Sequence, residues 1–113
     1  MKQGISLFSF SETTDVRWMF EHAQKAGYDG VEPVMSESGY LNPSTSQKEI
    51  LAMRRMAEDL GLEIPSVGVW SLWENNLVSD QESIRNKAFS IVQKQIEAAH
   101  LLGADTILVV PGY

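Results

Sequence analysis

Ala26-Gly27-Tyr28-Asp29-Gly30-Val31, Leu60-Gly61-Leu62-Glu63-Ile64-Pro65 and Leu102-Gly103-Ala104-Asp105-Thr106-Ile107 are three copies of one junction: a helix end, a glycine, an apolar residue, an acid and the start of a strand. Glycine just past a helix takes the left-handed conformation that closes the last turn without steric penalty. The residues before each glycine carry helical periodicity. Val16, Met19, Phe20 and Ala23 form one stripe, with Thr13 or Thr14 as the expected cap. Ile50, Met53, Ala57 and Leu60 form a second, opened by Ser46-Gln47-Lys48-Glu49, which reads as a capping box. Ser79-Asp80-Gln81-Glu82 repeats that pattern before a long third helix running through Ile84, Ala88, Ile91 and Ala99 to Leu102.

Short β-type runs lie between the helices: Ile5-Ser6-Leu7-Phe8, Gly30-Val31-Glu32-Pro33-Val34, Ile64-Pro65-Ser66-Val67-Gly68-Val69 and Thr106-Ile107-Leu108-Val109-Val110. The last is apolar throughout, as in a parallel strand covered on both faces. Strand and helix in strict alternation predict an α/β fold with right-handed crossovers and a parallel sheet, in the order strand, helix, strand, helix, strand, helix, strand. No linker or low-complexity stretch interrupts residues 1–113, which read as one domain. Two architectures share this alternation. A doubly wound nucleotide-binding sheet calls for a glycine-rich first strand–helix turn, whereas Ser9-Phe10-Ser11-Glu12-Thr13-Thr14 has no glycine and no lysine. A (β/α)₈ barrel of about 250 residues advances by about 31 residues per unit. Four strands in 113 residues keep that pace, so the chain reads as (β/α) units of an incomplete, half barrel.

Composition excludes several functions. Nine Lys and Arg against fifteen Asp and Glu give a net charge of −6, which opposes a nucleic-acid partner. With no cysteine there is no disulfide framework, thiolate nucleophile or cysteine-ligated metal. No apolar run has the length of a membrane span, and Met1-Lys2-Gln3-Gly4 leads straight into a strand without a signal-peptide core, so a cytoplasmic location is expected.

Barrel chemistry sits at the carboxyl ends of the strands, which here carry Phe8-Ser9-Phe10-Ser11, Glu32-Pro33, Trp70-Ser71-Leu72-Trp73-Glu74-Asn75-Asn76 and Pro111-Gly112-Tyr113. Glu32 is a carboxylate in an apolar strand and needs a partner or a task. A hydrogen bond or salt bridge to a neighbouring strand and contact with a substrate or metal shell are both open readings. Trp70 and Trp73 suit the wall of a sugar pocket, because sugar faces stack on indole rings, or equally the packing of a loop over the barrel mouth. Glu74-Asn75-Asn76 reads as a solvated loop. His22 and His100 fall in helices, away from strand ends, and the five methionines read as core filler. No Ser-His-Asp set and no metal-ligand spacing emerges, so no catalytic residue and no metal ligand is assigned.

Gly27-Tyr28-Asp29-Gly30-Val31-Glu32 resembles the second-strand signature of the xylose isomerase-like TIM barrels, the sugar phosphate isomerases and epimerases. Leu77-Val78-Ser79-Asp80, Ile84-Arg85, Ala98-Ala99-His100-Leu101-Leu102-Gly103-Ala104-Asp105-Thr106-Ile107 and Pro111-Gly112 resemble their stretch from the third loop to the end of the fourth strand. The resemblance implies the N-terminal half of a sugar or sugar phosphate isomerase or epimerase, working by proton transfer next to a carbonyl. It implies a divalent metal, Mn²⁺, Mg²⁺ or Co²⁺, for the complete barrel and none on these residues, since the family draws its ligands and catalytic carboxylates from strands five to eight. Glu32, Trp70 and Trp73 carry over as substrate-binding residues. Val67-Gly68-Val69-Trp70-Ser71 departs from epimerases that place a histidine near the end of the third strand, which leaves phosphorylation of the substrate open. Endonuclease-type relatives are disfavoured by the acidic charge. The partner expected is a small-molecule sugar, with self-association through the exposed half-barrel edges; the alternative is a self-pairing binding or scaffold module without catalysis.

Overall fold

The structure, a computed structural model, describes residues 1–11 and 13–112; Glu12 and Tyr113, both in predicted strand-end loops, lie outside the described residues. The elements are β1 (Gly4–Ser6), α1 (Val16–Lys25), β2 (Gly30–Glu32), β3 (Val34–Met35), α2 (Gln47–Asp59), β4 (Ser66–Val69), α3 (Glu82–Leu102) and β5 (Thr106–Ile107), with 3₁₀ turns at Leu7–Ser9 and Ser71–Trp73. All strand pairs are parallel. β2 and β3 are two parts of the predicted second strand, divided at Pro33, which has no N–H to give a ladder. β2 pairs with β1, and β3 pairs with β4, which pairs with β5. Spatial order therefore follows chain order. A doubly wound sheet requires a reversal of strand order, and none occurs here, so the arrangement is an arc of a (β/α) barrel. α2 packs on α1 and on α3, forming an outer layer.

The three junctions fold alike. Gly27, Gly61 and Gly103 have φ of 90°, 68° and 80°. The residue after each glycine donates its N–H to an alanine carbonyl five positions back, Tyr28 to Ala23, Leu62 to Ala57 and Ala104 to Ala99, which closes the helix end in a Schellman-type turn. Those three alanines are buried, so helix ends sit close against the sheet. Leu7, Val31, Met35, Val67 and Val69 alternate toward the helices and form the core with Met19, Phe20, Ile50, Met53, Ile91 and Leu102. Ser6, Glu32, Ser66 and Gly68 occupy the opposite, inner face, whereas Ile5 and Ile107 pair with Val31 and Val67 and pack against the core.

Several local expectations are revised. Asp15, not Thr13 or Thr14, caps α1, accepting from the Trp18 N–H at 3.0 Å; the carboxylate is a stronger acceptor. Ser46 and Glu49 form the capping box of α2. Ser79 does not cap α3: its hydroxyl takes the Gln81 N–H and its carbonyl takes Arg85, so the helix starts only at Glu82. The apolar run 106–110 is strand only at Thr106–Ile107, and Leu108 is exposed, because β5 is paired on one side alone. Met1 is exposed, whereas Met19, Met35 and Met53 fill the core. Among the described residues no helix is long and apolar enough to cross a membrane.

Candidate functional site

At the carboxyl ends of β1, β3 and β4 the chain encloses a cavity of about 240 Å³. Three loops build it. The turn after β1 brings Leu7, Phe8, Phe10 and Ser11; β3 and the long loop that follows bring Val34, Ser36 and Tyr40; the end of β4 brings Trp70. Phe8 and Trp70 rings lie 5.6 Å apart at 50°, one continuous aromatic wall. Gly68 makes this approach feasible, since a Cβ there would lie 2.9 Å from the Phe8 ring and 3.4 Å from the Glu32 carboxylate.

Among the described residues Tyr40 holds the only phenol in the lining. Its oxygen accepts the Val34 N–H at 2.8 Å, a donor left without a ladder partner because β1 has already turned into its 3₁₀ segment. Burial pushes the Tyr40 phenol well above its ordinary value; the Val34 N–H opposes this and the Glu32 charge adds to it. The phenol thus keeps its proton and can donate it into the cavity. Ser36 is buried, its hydroxyl accepting from the Gly39 N–H at 3.0 Å.

The three residues singled out from sequence separate. Trp70 lines the cavity and is 46% exposed. Trp73, one 3₁₀ turn later and 42% exposed, stands outside that lining. Glu32 lines a neighbouring space of about 230 Å³ with Gly4, Ser6 and Ser66. Its Oε1 accepts from Ser6 at 2.7 Å and its Oε2 from Ser66 at 2.6 Å, so hydrogen bonds to both flanking strands hold it. Asn75, expected in a solvated loop, is buried and donates to the Ser71 carbonyl at 3.1 Å, because the 71–77 segment folds down against α3. Phe8, Phe10 and Ser11 stood among the strand-end candidates, but Tyr40 did not. The signal for it was the eleven-residue stretch between β3 and α2, long for such a connection and on the face where barrels keep their sites.

The donor set does not fit a divalent metal. Among the described residues no three His, Asp or Glu side chains converge, and each Glu32 oxygen is already engaged by a serine. His22 stacks on Trp18 at 3.6 Å and bonds its carbonyl, on the outer side of α1.

Residues 20–113 match the family described as xylose isomerase-like TIM barrel. Two solved D-psicose 3-epimerases superpose with a TM-score of 0.76, one studied with D-fructose at 21% identity and one from Clostridium cellulolyticum H10 with D-tagatose at 25%. Each match covers 95% of this chain and 36% of the epimerase, so the chain spans about a third of the length of those structures. A 3-keto-D-glucoside 4-epimerase from E. coli matches at 16% identity and TM-score 0.69, covering 96% of this chain and 37% of that one. None of the curated proteins matches the chain in sequence.

Proposed function

Because the chain belongs to the xylose isomerase-like TIM barrels, we propose that it provides the aromatic wall of a sugar-binding site in an isomerase or epimerase barrel. The observation that carries this reading is the cavity at the strand ends, walled by Phe8, Phe10 and Trp70 and supplied with the hydroxyls of Ser36 and Tyr40. A sugar presents an apolar C–H face and a rim of hydroxyls, and this lining offers a ring for the first and donors and acceptors for the second.

Proton transfer next to a carbonyl needs a carboxylate or imidazole within hydrogen-bond reach of the carbon. Among the described residues the cavity lining contains neither. In this proposal the chain therefore binds and orients, and the proton-moving groups and a divalent cation, Mn²⁺, Mg²⁺ or Co²⁺, belong to a closed barrel in a cytoplasmic enzyme. Trp70 stacks on the sugar, Trp73 shields the outer side of the same loop, and Glu32 acts beneath the site by fixing β1, β2 and β4 in register, which positions Phe8 and Trp70.

The test is a titration of the chain with D-fructose and D-tagatose, followed by tryptophan fluorescence. The expected result is saturable binding in the millimolar range, about 4 kcal/mol, that Trp70→Ala removes while leaving the helical circular dichroism unchanged. No response, or an unchanged response in Trp70→Ala, overturns the proposal. Assayed with Mn²⁺, the chain alone is expected not to interconvert these ketoses.

A further inference from the structure

Two loops meet at the cavity. The one after β3 brings the hydroxyls of Ser36 and Tyr40, and the chain after β4 brings the ring of Trp70. The first loop is tied largely to itself. The Ser36 N–H donates to the Leu41 carbonyl, the Gly39 N–H to the Ser36 hydroxyl and the Asn42 amide to the Gly39 carbonyl, each at 3.0 Å. Glu37, next to Ser36, reaches out of this knot. Lys87 of α3 donates to its Oε1 at 2.8 Å, and the Asn75 side chain also bonds its carboxylate. Asn75 is buried, and both its backbone N–H and its Nδ2 donate to the carbonyl of Ser71, the residue after Trp70. Glu37 thus stands one residue from the polar lining, while its partner Asn75 leads through Ser71 to the aromatic lining. Among the described residues Lys87–Glu37 is the one ion pair that joins this loop to another element. Lys87, through its hydrogen bond and charge, holds the Glu37 carboxyl below its ordinary value, and Asn75 adds to the effect, so both partners favour the charged form.

We propose that Glu37 is a positioning residue of the sugar site: bonded to Lys87 and Asn75, it latches the loop of Ser36 and Tyr40 to the chain that carries Trp70, and so fixes the spacing between hydroxyls and ring that one sugar must meet together. The proposal rests on the reading of this cavity as a sugar site. It has a distinctive consequence. Among the described residues no charged side chain lines the cavity, and a ketose carries no charge, yet the affinity depends on salt, because both ends of the latch are about half exposed and ions screen it.

The test is titration with D-fructose and D-tagatose, followed by tryptophan fluorescence, of the native chain, Glu37→Gln, Lys87→Met and the double variant, each checked for unchanged helical circular dichroism. Each single variant is expected to weaken binding about threefold at low salt, and the double variant to lose less than the product of the two losses. Between about 0.01 M and about 1 M salt the screening length falls from about 30 Å to about 3 Å. Over that range the native affinity is expected to fall to that of Glu37→Gln, which stays constant. Native affinity in Glu37→Gln, or two losses that simply multiply, overturns the proposal. Hydrogen exchange separates this failure from failure of the sugar reading. The Val34 amide, bonded to the Tyr40 oxygen at 2.8 Å, is expected to exchange faster in Glu37→Gln with or without sugar. If the native chain binds neither ketose, the sugar reading falls and this exchange decides the latch, with an unchanged Val34 rate overturning it.

Discussion

Gln95 is fully buried in the middle of α3, an unusual place for an amide. Its Nε2 donates to the Val67 carbonyl at 2.8 Å and the Leu108 carbonyl at 3.0 Å, clamping β4 to the chain beyond β5 where the ladder runs out. Its Oε1 is buried without a partner, so the clamp carries a penalty for that unmet acceptor. Gln95→Ala removes both bonds and leaves a void, and a loss of about 2–4 kcal/mol is expected from urea unfolding. Gln95→Met keeps the volume and deletes the orphaned oxygen, so its loss is expected to be smaller; equal losses would show that the bonds alone carry the effect. Tyr40 does a comparable job on the other side of the sheet. Tyr40→Phe strands the Val34 N–H, for an expected loss of about 1 kcal/mol in the same measurement, together with weaker sugar binding. Neither role is visible in the sequence. Gln95 interrupts an apolar stripe and Tyr40 sits in a loop; the first meets the Leu108 carbonyl just past β5 and the second the Val34 N–H, which β1 leaves without a ladder partner.

At the scale of elements, two identical signatures have different outcomes. Ser46 and Glu49 reciprocate in a capping box, with the Ser46 hydroxyl accepting from the Glu49 N–H at 3.2 Å and the Glu49 carboxylate from the Ser46 N–H at 2.8 Å. Ser79 and Glu82 do not, because Leu77 is tied to the Pro111 carbonyl, and Ser79 instead turns the chain toward Gln81 and Arg85. Ser46→Ala is expected to lower stability by about 1 kcal/mol, and Ser79→Ala by much less. Glu49 also gives a pH signature. The backbone N–H of Ser46, and next its side chain, hold the Glu49 carboxyl below its ordinary value. A carboxyl lowered in the folded state stabilises above its unfolded value of about 4.3 and loses that contribution as pH falls through the folded one. The advantage of the native chain over Glu49→Gln in urea midpoint is therefore expected at neutral pH and should fade in acid. A gap that widens in acid would contradict the assignment.

For the whole molecule the decisive feature is strand order. β4 is flanked by β3 and β5 and packed on α3, whereas β5 has one strand neighbour and an exposed outer side. In hydrogen exchange the Gly68 and Trp70 amides, bonded to the Pro33 and Met35 carbonyls, are expected to be protected close to the global stability, and those of Thr106 and Ile107 to open at far lower free energy. Equal protection would show that something already covers this edge. The alternation of units, the helix ends at Gly27, Gly61 and Gly103, and the parallel sheet were determined by sequence alone, because periodicity, glycine conformation and crossover handedness are local or nearly local. The choice of barrel arc over doubly wound sheet was foreshadowed by the missing glycine-rich turn and settled by the pairings. What only the tertiary structure decided is which strand-end side chains share a cavity. Trp70 meets Phe8 and Tyr40, Trp73 stands aside, and Glu32 turns inward between two serines, because these juxtapositions join residues from separate loops and strands whose positions are set by packing rather than by spacing along the chain.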